Sequence, residues 1–413
     1  MMGVLRFHGL LVGLFSGLLT TSATVANAQE FRFERATYNP AILSLSYTVQ
    51  KSDQADQQKK PSADAAAFVD IVLITRQGES LGQRVSVNQK RFVGLLRGLY
   101  EQLSKQESLD IGNATSPSRQ LYDALIGPIA QELQQRKIST LLIAAERGLQ
   151  GVPFAALHDG KQYLGERYAF SLTPSLQFTS LGPPRRGGSR VLVAGASEFK
   201  GLAPLPLVPQ EVSGLGAAGT SERRLNQEFT PSVLLDDASS ARFARVHVAT
   251  HAEFKPGGPS QSVLHTGTTP MPLSDFLQVR QRREGDLLDL FSLSACRTAL
   301  GDSSTEMGFA GLALQAGARS AIGTLWYVDD VATSAYFLQL YRYLDQGLPK
   351  AEALQATRVA FAKGLVRRQG DQMLGPDGQP LLQKLTTQQQ RRVEGGLSHP
   401  YFWSGIELLG TPW

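Results

Sequence analysis

Residues 289–296 read Asp-Leu-Phe-Ser-Leu-Ser-Ala-Cys, a largely apolar run that leads into Cys296, the single cysteine of the chain. A short run of this kind predicts a buried β-strand over residues 289–294. A second such run, residues 244–249, leads into His251. Each predicted strand therefore ends next to a side chain that can carry nucleophilic or acid–base chemistry.

Predicted strands and helices alternate on both sides of these two runs. Further strands are expected at residues 42–49, 68–75, 141–144, 191–194 and 320–325, with a last strand inside 401–409. Helices are expected at residues 91–105, 121–134, 208–217, 308–316, 331–344 and 350–361. This alternation predicts an α/β fold in which a mainly parallel sheet lies between two layers of helices.

The length and composition indicate a globular chain. Its 413 residues suffice for two or three domains, or for one large domain with a divided core. Hydrophobic residues make up 42% and charged residues 19%, which excludes a disordered, collagen-like or coiled-coil protein. The net charge of +5 is small, and basic pairs such as Arg185-Arg186 have no aromatic residues between them. We therefore expect solvated surface charges and no nucleic-acid partner.

The N-terminus has the pattern of a secretory signal peptide over residues 1–28. An apolar run at residues 9–19 is followed by Ala26-Asn27-Ala28, an A-x-A cleavage site. This run is too short to span the roughly 30 Å of hydrocarbon in a bilayer, although an uncleaved membrane anchor is the alternative. No later apolar run approaches 18 residues. We expect an exported protein, secreted or periplasmic, whose mature chain has no membrane span.

A loop rich in Pro, Gly and Arg provides the best internal boundary. The expected organisation is a signal peptide at 1–28, a linker at 29–39, a first α/β half at 40–181, a linker at 182–188 and a second half at 189–413.

Two motif-like patterns do not predict a cofactor or metal site. Residues 214–219 match G-x-G-x-x-G, but they close a predicted helix, whereas a dinucleotide site needs these glycines to open one after a strand. His247 and His251 are four residues apart, but they lie on and after a strand and lack the Glu of H-E-x-x-H. We expect neither a metal ion nor an organic cofactor.

The two strand ends suggest a catalytic pair. If the strands are parallel neighbours, His251 and Cys296 meet at one sheet edge, where open α/β sheets bind ligands. A thiol beside an imidazole forms a nucleophile and general-base pair. The backbone N–H groups of Ala252 and Cys296 are candidate donors to an oxyanion. The alternative is that Cys296 is a buried core thiol and His251 a histidine that caps a loop.

Several stretches carry a family resemblance. They are residues 153–159, 163–168, 174–176, 249–251, 293–299, 316–320, 325–330 and 399–403. In this order they resemble the CHAT-domain family, in the caspase and separase clan of cysteine peptidases. The resemblance covers nearly the whole mature chain and implies a caspase-like three-layer sandwich. It implies that residues 40–181 are a degenerate supporting half and residues 189–413 the catalytic half.

The resemblance also implies an activity. His251 and Cys296 match the catalytic dyad of a cysteine endopeptidase that hydrolyses protein or peptide substrates. Many clan members have Gly where this chain has Ala252, but alanine keeps the N–H that an oxyanion needs. Many family members also carry helical repeats before this domain, so restraint by an unknown regulatory protein is one expectation. The alternative function is a catalytically silent, caspase-like binding or regulatory module.

Two acidic residues, Asp329 and Asp330, follow the strand expected at residues 320–325. Separases, which this segment resembles, prefer Arg just before the scissile bond and carry acids in the equivalent loop. Asp330 fits that pattern better than Asp329. The resemblance thus implies that these carboxylates bind an Arg or Lys side chain of the substrate through charge-assisted hydrogen bonds. Alternatively they cap the helix that starts near residue 331.

Overall fold

The structure is a computed structural model. It describes residues 39–49, 66–146, 148–173, 176, 190–216, 219–253, 260–295, 308–326 and 329–413. The predicted signal peptide at 1–28, the predicted boundary at 182–188 and Cys296 lie outside these residues. No helix in the described part of the chain is long and apolar enough to cross a membrane.

Strands and helices alternate through most of the described chain. The strands are β1 (Pro40–Val49), β2 (Ala66–Thr75), β3 (Ser80–Asn88), β4 (Thr140–Ala145), β5 (Ala169–Thr173), β6 (Arg190–Gly195), β7 (Ser221–Leu225), β8 (Phe243–Ala249), β9 (Ala252–Glu253), β10 (Val263–His265), β11 (Pro270–Pro272), β12 (Leu290–Ser294), β13 (Ser320–Thr324), β14 (Arg367–Gln369), β15 (Gln372–Leu374), β16 (Pro380–Leu382) and β17 (Ile406–Gly410). The helices are α1 (Gln89–Ser104), α2 (Pro117–Leu125), α3 (Ala130–Gln135), α4 (Leu164–Arg167), α5 (Val208–Gly214), α6 (Pro231–Ser239), α7 (Gln278–Arg282), α8 (Gly308–Gln315), α9 (Asp330–Asp345), α10 (Lys350–Ala362) and α11 (Thr387–Arg392).

One large sheet runs through both predicted halves of the chain. Its eleven strands lie in the order β3-β2-β1-β4-β5-β17-β13-β12-β8-β6-β7. Neighbours are parallel except at the β3–β2, β2–β1 and β17–β13 contacts. The sheet is therefore mainly parallel, and the expected α/β fold is confirmed. Because β17 inserts between β5 and β13, the last strand of the chain joins the two halves.

The sequence pattern predicts most of the central strands but misses the edges. It does not predict β3 and β7, the two edge strands, in which most side chains are polar and partly exposed. It also misses β5, which is only five residues long. The single helix expected at residues 121–134 is wrong, since the chain forms α2, a 3-10 turn and α3 instead. Pro128 lies at the break and accounts for it, because proline has no N–H to donate to the preceding turn.

A buried ion pair lies where the two halves meet. Arg358 of α10 and Glu407 of β17 are both fully buried, with Nη2 and Oε2 3.1 Å apart. Arg358 also donates to the carbonyl of Ile406 at 2.7 Å, and its guanidinium lies 4.4 Å from the ring centroid of Phe170 on β5. Burial raises the pKa of the Glu407 carboxyl to about 7, although Arg358 opposes that shift.

Candidate active site

His251 follows β8 and is held in one orientation. Its Nε2 lies 2.8 Å from the carbonyl oxygen of Ala203, and the Phe199 ring centroid lies 4.7 Å from the imidazole centroid. Because a carbonyl oxygen can only accept, Nε2 carries the hydrogen of this bond. In the neutral ring, Nδ1 is then the nitrogen that can take up a proton.

The chain beyond His251 is fixed by a small antiparallel sheet of β9, β10 and β11. The N–H of His265 donates to the carbonyl of His251 at 3.0 Å, and the Thr250 hydroxyl donates to the carbonyl of His265 at 2.5 Å. Residues opposite each other in an antiparallel pair alternate between hydrogen-bonded and non-hydrogen-bonded. Ala252 and Leu264 are the next opposed pair, so the N–H of Ala252 points away from β10.

The strand that leads toward Cys296 lies beside β8, as expected. Strands β8 and β12 are parallel neighbours in which Ala249 faces Ser294, and the N–H of Thr250 donates to the Ser294 carbonyl at 3.3 Å. The adjacent strand β13 is parallel to β12. The strand ends therefore meet at one sheet edge. Cys296 itself lies outside the described residues, so its pairing with His251 stays a prediction.

A small cleft with a cavity volume of about 50 Å³ opens at this edge. Its floor is formed by the ends of β8, β12 and β13, including His251 and Ala295, and its walls by α9 and by α5 with the residues before it. Helix α5 can approach closely because β6 ends in Gly195, where an added Cβ would lie 2.6 Å from Val208 Cγ1. The cleft thus places His251 beside a space that a substrate side chain can enter.

Glu211 is a carboxylate of this cleft that sequence reasoning missed. Its side chain is nearly fully buried between α5 and α9. Oε1 lies 2.8 Å from Nε2 of His247, and Oε2 accepts from the Ser334 hydroxyl at 2.6 Å. The signal that could have found it is an acidic residue on the apolar face of a short helix, between Val208 and Val212.

His247 and His251 do not share a site, although they are four residues apart. His247 is buried against Glu211 and the ring of Phe337, whereas His251 contacts Ala203 and Phe199. Within the part of the chain that the structure describes, no three His, Cys, Asp or Glu side chains are grouped so that they could hold a metal ion.

Asp329 and Asp330 differ in their contacts, and of the two only Asp330 lines the cleft. Oδ1 of Asp329 accepts from the N–H groups of Val331 at 2.9 Å and Ala332 at 3.4 Å, so Asp329 is the N-cap of α9. Burial, followed by the charge of Asp330, raises the pKa of Asp329, and Arg392 lowers it. Asp330 begins the helix and lines the cleft. The capping alternative is therefore confirmed for Asp329.

Arg392 binds both carboxylates. Its Nη1 lies 3.2 Å from Oδ2 of Asp329, and its Nη2 lies 2.6 Å from Oδ1 of Asp330. Sequence reasoning missed this contact because Arg392 lies 62 residues beyond Asp330 in a polar helix with no motif.

Comparisons with known proteins agree with this fold. Residues 115–411, more than two thirds of the chain, match the family model of the CHAT domain. The Saccharomyces cerevisiae separase–securin complex has a similar fold, with a TM-score of 0.50 and 10% identity. That match covers 95% of this chain and 31% of the other, so this chain spans about a third of its length.

A weaker match is the Arg-specific cysteine proteinase gingipain R, known as RgpB in Porphyromonas gingivalis. It has a TM-score of 0.42 and 10% identity and covers 78% of this chain and 75% of the other. A comparison with curated protein sequences gave no match. The family match and the separase-like sheet together lead to one conclusion: the chain belongs to the CHAT-domain family and has a caspase-like α/β fold.

Proposed function

We propose that the protein is an exported cysteine endopeptidase of the CHAT type, with Cys296 as nucleophile and His251 as general base. The observation that carries the proposal is the setting of His251. Its Nε2 is occupied by the Ala203 carbonyl, and the ring lies on a cleft that it shares with the end of β12. Cys296 follows that strand by two residues in the sequence. Export rests on the signal-like pattern of residues 1–28.

The proposed reaction uses Nδ1 of His251 as the proton carrier. Nδ1 accepts the thiol proton of Cys296, and the thiolate attacks the substrate carbonyl carbon to give a tetrahedral oxyanion. The N–H groups of Ala252 and Cys296 donate to that oxyanion. His251 then gives the proton to the leaving amine as the C–N bond breaks. Water, deprotonated by the same imidazole, hydrolyses the thioester and restores the thiol.

The charge of the cleft supports a basic residue before the scissile bond. Glu211 and Asp330 bring two carboxylates to the cleft, and Arg392 pairs with Asp330 and with its neighbour Asp329. Oδ2 of Asp330 has no hydrogen-bond partner among the described residues. We propose that Asp330 contacts an Arg or Lys side chain of the substrate, while Asp329 adds negative charge and holds the helix.

A peptide library tests this function. We expect the full chain to cleave after Arg or Lys at least about tenfold better than after Leu or Asp, because of the charge-assisted bond to Asp330. In Asp330→Asn, kcat/KM for Arg peptides should fall about tenfold or more, while that for Leu peptides stays near the parent value. Products are identified by mass spectrometry.

Two variants serve as controls. Cys296→Ala should yield no products, and Asp371→Asn, at an exposed position on the turn between β14 and β15, should keep the parent's preference. Cleavage that persists in Cys296→Ala would refute the nucleophile. A parent that cuts no peptide would indicate the catalytically silent binding module instead.

A further inference from the structure

We propose that Arg392 is a specificity-determining residue of the cleft. It acts as an internal counter-ion on Asp329 and Asp330, and a basic substrate side chain competes with it for these carboxylates. The inference rests on the proposed function, because it takes this cleft to be the one that receives the residue before the scissile bond.

The exposures of the three side chains support competition. The carboxylates of Asp329 and Asp330 are 13% and 16% exposed, whereas the Arg392 side chain is 39% exposed. Asp329 is further fixed by its two bonds to the start of α9. Arg392 is therefore the partner that can move into solvent when a second cation arrives. The carboxylate of Asp330 stays in place at the wall of the cleft.

Arg392 lies on a segment that is tied to both walls. The segment, residues 364–399, leaves the sheet between α10 and β17 and contains β14, β15, β16 and α11. Its Gln383 exchanges two hydrogen bonds of 2.9 Å with Gln210, the residue before Glu211 on α5. Its Pro380 carbonyl accepts from Arg342 of α9 at 2.6 Å. These contacts do not involve Arg392, so a substitution there changes charge and leaves the segment anchored.

Helix α11 also holds its own start without Arg392. Thr386 and Gln389 form a capping box, in which each side chain bonds the backbone N–H of the other residue. A neutral replacement at the last position of the helix leaves this cap unchanged.

The charge of the cleft gives the direction of the effect. With Arg392 in place, a substrate guanidinium that enters the cleft must displace the guanidinium of Arg392 or share the carboxylates with it. Without that cation, like-charge repulsion is removed, and Oδ1 of Asp330, which still accepts from the N–H of Val331 at 3.0 Å, loses its bond to Arg392. A neutral side chain in the cleft is insensitive to this change, because it forms no ion pair there. Arg392 therefore weakens the binding of basic side chains selectively.

Peptide binding provides the test. The full chain carrying Cys296→Ala, which cannot turn over substrate, is titrated with acetyl-Ala-Ala-Arg-amide and acetyl-Ala-Ala-Leu-amide by NMR at low salt. We expect Arg392→Gln to lower Kd for the Arg peptide about threefold to tenfold and to leave Kd for the Leu peptide unchanged. Arg392→Lys keeps the cation and should behave like the parent. Arg391→Gln is the matched control, because Arg391 is the exposed neighbour without an ion pair among the described residues.

Three results would overturn the inference. They are an equal change for both peptides, weaker binding of the Arg peptide in Arg392→Gln, and no change at all. Failure of the proposed function gives a different pattern. A parent that does not cleave, combined with the expected shift in Kd, refutes the peptidase and leaves the role of Arg392 intact. Cleavage after Arg in the parent, combined with an unchanged Kd for the Arg peptide in Arg392→Gln, supports the peptidase and refutes the role of Arg392.

Discussion

Replacement of His251 by Ala is expected to lower kcat/KM for peptide hydrolysis by about 10²- to 10⁴-fold. The variant removes the imidazole whose Nδ1 takes the thiol proton in the proposed reaction. The fold should survive, because the side chain lies at a strand end and its hydrogen bond to the Ala203 carbonyl contributes about 0.5–1.5 kcal/mol. Activity is measured with an Arg peptide, and stability by urea unfolding.

His399→Ala is the matched control for this experiment. Its Nε2 likewise lies 2.8 Å from a backbone carbonyl oxygen, that of Glu107, and its Nδ1 also accepts from the N–H of Tyr401 at 3.1 Å, but His399 does not line the cleft. The variant should therefore lose at least as much stability as His251→Ala and keep parent-like turnover. If His251→Ala kept more than about a tenth of the parent's kcat/KM, the imidazole would not be the general base.

The second large effect concerns the buried pair between the two halves of the sheet. Replacement of Glu407 by Leu is expected to lower the free energy of unfolding by about 3–5 kcal/mol at pH 8. The variant leaves the guanidinium of Arg358 fully buried without its counter-ion. Its Nε and Nη1 already have no hydrogen-bond partner among the described residues. The double variant Arg358→Met/Glu407→Leu should recover most of the loss, because an apolar pair has no buried charge.

An exposed pair provides the comparison. Arg84→Met removes an ion pair with Asp70 in which the Arg84 side chain is 65% exposed, and should lower the free energy of unfolding far less, because solvent screens an exposed pair. Urea unfolding measures the difference for the parent, the single variants Glu407→Leu and Arg358→Met, the double variant and this control. A Glu407→Leu variant as stable as Arg84→Met, or a double variant less stable than both single ones, would contradict the assigned role.

The buried pair of Arg358 and Glu407 also predicts how the free energy of unfolding changes with pH. The folded protein binds a proton at Glu407 more tightly than the unfolded chain does, because burial raises the pKa of Glu407 to about 7. This contribution to stability is complete below about pH 4.3, the pKa of an exposed Glu, and is lost as the pH rises through 7. Stability should therefore fall less steeply over that range in Glu407→Leu than in the parent.

The sheet edge with His251 could be predicted because buried parallel strands are recognisable in the sequence. Both faces of β8 and β12 are covered, so each strand reads as a short apolar run, and each run stops where the chain leaves the sheet. The residues just beyond such stops are the ones that a ligand can reach. His251 is therefore found from composition and position alone.

Most partners of the site could not be predicted, because they are long-range contacts without local pattern. Ala203 acts through its backbone carbonyl, which every residue type possesses. Arg392 meets Asp330 only because a distant segment folds back against α5 and α9. The central place of β17 is equally hidden, since a buried strand does not reveal which neighbours it pairs with.

The central claim is that His251 activates Cys296, and the labelling rate of that thiol tests it most directly. The purified full chain is treated with a peptide chloromethyl ketone that carries Arg next to the reactive group, and the adduct is followed by mass spectrometry. Cys296 is the only cysteine of the chain, so a thiol adduct has one site. We expect rapid labelling in the parent and labelling at least about 100-fold slower in His251→Ala. Equal labelling rates in the two proteins, or none in the parent, would contradict the account.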